Sequence, residues 1–273
     1  MMMSRCSTRR TPRTPPQCAL ITGATGGIGE AFARALPPET NLILTGRDAD
    51  RLATLRAQFA PRAETVVADL TNPAEFDEVV AAADAGGVDL LINNAGLGEY
   101  GRFLDTDVEK HRTTLRVNVE SVVDLVHRVV PGMIHRADIA GTRAGLINMA
   151  SSLAFLPVPT MSTYAASKAF ILSFTESLAA ELGDEPIDVL VSCPGAVKTE
   201  FGSRAGFDGN AVPTAMSPDR VARATLDALG RQRTVVIGPV SAAAFSGVSL
   251  ARSLFGQAFM RASKVAERVG DRG

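Results

Sequence analysis

In the stretch STYAASKAF, residues 162–170, Tyr164 stands four positions before Lys168. On a helix four residues advance the chain by ~6 Å and return to the same face, so a phenol and an ammonium so spaced are neighbours. A cation beside a phenol favours the phenolate and draws its pKa down from ~10. A phenol tuned in this way can give a proton to a carbonyl oxygen or take one from an alcohol. Alone, the pair is a common accident of helical sequence. Upstream, the run LINMASS places Ser151 and Ser152, 13 and 12 residues before Tyr164, where a strand would end. A hydroxyl at that edge of an α/β sheet is positioned to hold a substrate oxygen.

A second cluster could bind phosphate. TGATGGIGEAF, residues 22–32, carries Gly23, Gly27 and Gly29 where a strand runs into a helix. Glycine there permits a tight turn and close backbone approach, and a helix N-terminus offers free amides to a pyrophosphate. The spacing differs from G-x-G-x-x-G, and glycine-rich turns also serve purely structural ends. After the next strand, in LTGRDADRL, Gly46 occupies the place of an acid that would hold ribose hydroxyls, and Arg47 follows it. An arginine there can neutralise a 2′-phosphate, which predicts a preference for NADPH over NADH. The plain alternative is a solvated loop charge paired with Asp48.

These residues need elements to position them. CALIT (18–22), NLILT (41–45), ETVVA (64–68), VDLLI (88–92), AGLINMA (144–150), IDVLVSC (187–193) and TVVIG (234–238) read as strands buried on both faces. Amphipathic stretches such as 27–36, 49–58 and 73–84 lie between them, the last with Asn72 as N-cap and Pro73 at the first helical position. Strand and helix in alternation predict one α/β, doubly wound Rossmann domain over residues 17–238, with a seven-stranded parallel sheet and helices on both faces.

Composition narrows the classes. The 273 residues are 46% hydrophobic and 21% charged with a formal net charge of −1, which argues against a nucleic-acid surface. Cys6, Cys18 and Cys193 show no C-x-x-C and suit a reducing, cytoplasmic setting. The three histidines lack metal-ligand spacing, so no metal site is expected. No run approaches the ~18 apolar residues of a membrane span. Residues 1–16 read as a disordered basic leader.

Taken together, TGATGGIG, NNAG (93–96), ASS, YAASK and CPGAVKT (193–199) resemble the motifs of the short-chain dehydrogenase/reductases, in their order and spacing, over roughly residues 18–238. The resemblance implies an NAD(P)-dependent oxidoreductase interconverting a carbonyl and an alcohol. Tyr164 would be its acid/base, and Lys168 would lower the tyrosine pKa and hold the nicotinamide ribose. Asn118, in LRVNVES, would complete a proton relay. NMASSLAFLP resembles the form of the serine motif that selects Ser151 over Ser152. The cofactor set implied is Thr22, Gly23, Thr25, Gly27, Ile28 and Gly29 in the first turn; Asp69 and Leu70 beside the adenine; and Asn94, Ala95 and Gly96 after the fourth strand, where Asn93 stabilises the sheet. Pro194, Gly195, Val197 and Thr199 would hold the nicotinamide.

Phe201 to Pro218 would then be a substrate lid, with Phe201, Phe207, Val212 and Met216 facing an apolar ketone, aldehyde or acyl compound. Leu97, Tyr100, Leu153 and Phe155 are further candidates for that pocket. Residues 239–273 read as a basic amphipathic helical extension, favoured to pack on a subunit or lid over lying on a membrane. The resemblance also implies a homodimer or homotetramer through the long helices carrying Asn118 and Tyr164. The competing expectation, from another functional class, is a non-catalytic NAD(P)-binding sensor or scaffold.

Overall fold

The apolar runs form strands at Cys18–Thr22 (β1), Asn41–Gly46 (β2), Ala63–Val67 (β3), Leu90–Asn93 (β4), Ala144–Met149 (β5), Ile187–Pro194 (β6) and Thr234–Ile237 (β7). The structure, a computed structural model, describes residues 14–206 and 213–238. Most of the basic leader, the lid residues Phe207 and Val212, and the extension 239–273 lie outside the described residues. The strands pair in parallel in the order β3-β2-β1-β4-β5-β6-β7.

Between them come α1 (Gly27–Ala35), α2 (Ala49–Gln58), α3 (Pro73–Ala85), α4 (Val108–Leu115), α5 (Ser121–Ala140), α6 (Ser162–Glu181), α7 (Phe201–Ala205) and α8 (Pro218–Ala228). Because side chains alternate along a strand, the sheet feeds two cores. Leu20, Leu91, Leu146 and Val189 pack with α3, α5 and α6. Ile21, Ile92, Ile147 and Leu190 pack with α1, α2 and α8. Arg34 of α1 also reaches Asp219 of α8 at 3.0 Å. The expectation of strands buried on both faces fails at β3, where every residue is at least partly exposed and Val67 is 48% exposed. An outermost strand has a neighbour on one side only, and β7, at the other margin, is also half-buried.

Local signals set the helix starts. Asn72 accepts from the Ala74 amide at 3.1 Å ahead of Pro73, and Asp48 and Ser217 cap α2 and α8 in the same manner. The chain leaves β1 for β2 on one side and returns to β4 on the other. That reversal opens a crevice beyond the carboxyl ends of β1 and β4, the place where such sheets bind ligands.

Candidate functional site

Thr22 ends β1 facing that crevice. Its Oγ1 accepts from the amides of Asn94 and Ala95, both at 3.0 Å. Asn94 Nδ2 in return donates to the carbonyls of Thr22 and Gly23. The turns after β1 and β4 are thereby locked together. Gly23 takes φ +63°, the left-handed region, and a Cβ there would lie 2.8 Å from Ala95 Cα. Gly29 has still less room, because its Cβ would collide with the Gly23 carbonyl oxygen. Gly26, at the N-cap of α1, provides no side chain to cap the helix. The result is a cavity of about 170 Å³ beside the first turn of α1. Gly23, Thr25, Gly27 and Ile28 form one wall; Asn94, Ala95, Gly96 and Thr199 form another. Backbone open to the cavity and uncapped helix amides fit the pyrophosphate of a dinucleotide.

Arg47, Asp69 and Leu70 close the far end. A Cβ on Gly46 would lie 3.1 Å from Thr25 Oγ1, so an acidic side chain has little room to start there. Arg47 pairs with Asp69 at 3.8 Å, not with Asp48, whose carboxylate is used in capping α2. Burial alone would raise the Asp69 carboxyl. Hydrogen bonds from the Thr71 amide and hydroxyl, aided by Arg47, outweigh it and hold the group below the usual carboxylate range.

On the other side of Gly96 and Asn94 lies a second cavity of about 330 Å³, reaching Ser151, Tyr164 and Lys168. Ser151, in extended backbone at the end of β5, caps a short 3-10 turn, Ser152–Phe155, through Leu153 N at 3.2 Å. Its side chain also hydrogen-bonds Tyr164. Ser152 lines the cavity too. The expected lowering of the tyrosine by the lysine is not what the geometry gives. Burial pushes the Tyr164 phenol up to about 12, against the Ser151 hydrogen bond that pulls it down. Lys168 is itself pushed down to about 8 by burial, with Cys193 opposing. Its Nζ donates to the Met149 carbonyl at 2.9 Å and lies 5.8 Å from the centre of the tyrosine ring. Desolvation, which disfavours either charge, outweighs mutual attraction at this separation.

Asn118 is fully buried behind this site. It sits in a π-helical turn, Arg116–Glu120, that joins α4 to α5, and such turns gather at functional sites. Its side chain is spent on neighbours: Oδ1 accepts from Leu97 N, and Nδ2 donates to the Leu97 carbonyl and Ser167 Oγ. Thr22, Gly29 and Asn118 thus shape the walls, whereas the other expected residues line a cavity. Pro194, Gly195 and Val197 lie along the second one. Of the remaining pocket candidates, Phe201 and Leu153 line this cavity and Leu97 lines the first. Tyr100 and Phe155 line neither, and Met216 is buried in the core, paired with Val197. Each had only an apolar or aromatic side chain near a motif to recommend it. Met149, Met161 and Arg204 are cavity residues that carry no motif signal.

Comparison with known proteins agrees with this geometry. Residues 17–207 match the short chain dehydrogenase family. An uncharacterized oxidoreductase of Staphylococcus epidermidis is 30% identical over 207 residues, covering 72% of this chain and 88% of that protein. Among solved structures, a short-chain dehydrogenase from Sphingobium yanoikuyae in complex with NADPH superposes with TM-score 0.70 at 32% identity, over 80% of this chain and 86% of that one. The 3-ketoacyl-(acyl-carrier-protein) reductase from Brucella melitensis, complexed with NADH, gives TM-score 0.73 at 27% identity, over 81% of this chain and 96% of that one. With the sheet order, the paired cavities and these matches in agreement, the chain belongs to the short-chain dehydrogenase family, as an oxidoreductase of that type built to bind a nicotinamide cofactor.

Proposed function

We propose that the protein is an NADP-dependent oxidoreductase that interconverts an apolar ketone or aldehyde with its alcohol. One observation carries the reading: Ser151, Tyr164 and Lys168 meet in a cavity that shares a wall with the glycine cradle. A bound nicotinamide supplies or accepts the hydride. Tyr164, kept protonated by its surroundings, gives its proton to the carbonyl oxygen in reduction and recovers it in oxidation. Ser151, bonded to the Tyr164 side chain, is placed to hold the same oxygen. Lys168 stabilises the phenolate that exists after transfer. Asn118, with its side chain held by Leu97 and Ser167, positions the turn after β4 against α6 beside the site.

Arg47 supports NADP over NAD. It lines the cofactor cavity with its side chain 57% exposed, and no acid occupies position 46. For the substrate, Met149, Leu153, Met161 and Phe201 dominate the second cavity, and among the described residues its only ionisable side chains are Tyr164 and Lys168. A carboxylate or phosphate on the substrate would find no further cation among these described lining residues.

The test follows NADPH oxidation by the purified protein against a panel of ketones and aldehydes. Tyr164→Phe and Ser151→Ala should each lose about 10²-fold or more in turnover, with NADPH affinity kept, while Ser152→Ala loses far less. Binding without turnover on any carbonyl would favour a sensor. Equal dissociation constants for NADPH and NADH would remove the assigned role of Arg47.

A further inference from the structure

Beside the glycine cradle stands a cation that no motif announces. Arg204, in α7, lines the cofactor cavity, with Nη2 3.8 Å from where a Cβ on Gly26 would stand. Gly26 is the N-cap of α1, so the guanidinium lies over the uncapped first turn of that helix. Arg204 is exposed, and among the described residues its guanidinium has no ion pair or hydrogen bond. It lines the cradle cavity and not the cavity above Tyr164. An anion that meets it therefore belongs to the nucleotide and not to the substrate.

We propose that Arg204 is a ligand of the cofactor's pyrophosphate, brought to the cradle from the lid side by α7. This rests on the nucleotide reading above and extends it to a residue outside the glycine turn. The amides of α1 offer only a partial positive charge of about half a unit, whereas a pyrophosphate bridge carries two negative charges. Of the two cations that line the cavity among the described residues, Arg47 is at the far end against Asp69, which leaves Arg204 to face the bridge. A guanidinium forms paired, charge-assisted hydrogen bonds with phosphate oxygens, and a lysine at the same place would act only as a point charge. The same short helix lays Phe201 against the Tyr164 ring, at 5.2 Å between centres, so α7 touches both cavities.

The experiment is calorimetric titration of the full chain with NADPH, ADP-ribose and adenosine 2′-monophosphate, comparing wild type, Arg204→Ala and Arg204→Lys. Arg204→Ala should raise Kd for NADPH and ADP-ribose about tenfold or more. It should leave adenosine 2′-monophosphate, which has no pyrophosphate, within about twofold, and Arg204→Lys should fall between. Unchanged NADPH affinity in Arg204→Ala would overturn the proposal. So would an equal loss on all three ligands, which would mean that the substitution disturbs the adenosine end or the fold. Wild-type protein that binds neither NADPH nor NADH would overturn the nucleotide reading itself.

Discussion

At the residue scale, burial governs the Tyr164 and Lys168 pair. Their spacing on α6 is plain in the sequence, but spacing says nothing about how much water surrounds two groups, and so the upward direction of the tyrosine shift does not follow from it. The lysine gives a measurable consequence. Its folded pKa is about 8 against an ordinary 10.5. Below about pH 8 the native state carries an ammonium in a dry place; between 8 and 10.5 the unfolded chain binds more protons than the native one, so stability from this group rises with pH. Lys168→Met never carries that charge, and its lost bond to the Met149 carbonyl is a constant offset. The Tm of Lys168→Met relative to wild type should therefore fall as pH goes from 7 to 10, read by thermal melts at the two values. A difference that does not change with pH would assign the effect to packing alone. Arg204 was not legible either: FGSRAGF has neither periodicity nor a spacing that ties an arginine to a turn some 180 residues earlier.

At the scale of elements, apolar runs bounded by glycine and polar residues made all seven strands legible, and Asn72-Pro73 marked the start of α3 to the residue. Two things were hidden. The π turn at RVNVE differs from an α-helix only in which amide each carbonyl meets, and side-chain type does not encode that. The half-exposure of β3 and β7 depends on strand order, which emerges only once the sheet is assembled. The first turn of α1 makes a sharp prediction. A methyl at position 29 would meet backbone atoms of both Gly23 and Ala24, neither of which can rotate away. Gly29→Ala should cost about 1–3 kcal/mol of stability and weaken NADPH at least tenfold, measured by denaturant melts and titration. Wild-type affinity in that variant would mean that the turn has more freedom than its contacts indicate.

At the scale of the whole molecule, the long helix α6 presents an apolar aromatic pair at its surface. Phe170 is 44% exposed on α6 and stacks on Phe174 at 5.9 Å between ring centres. If two copies pair through α5 and α6, as family resemblance leads one to expect, Phe170→Glu should reduce the mass in light scattering to that of one chain while leaving the melt cooperative. A mass unaltered by the substitution would end that arrangement. Among the described residues no helix is long and apolar enough to cross a membrane. Finally, Ile28, Asn94, Gly96, Thr199 and Phe201 face both cavities. A partition held in common offers a route for coupling between its two sides, and any such coupling is reciprocal by thermodynamic necessity. By whatever factor the nucleotide sharpens affinity for a ligand in the second cavity, that ligand must sharpen affinity for the nucleotide, so under the proposed function a tight-binding inert ketone would serve as a handle for trapping the cofactor.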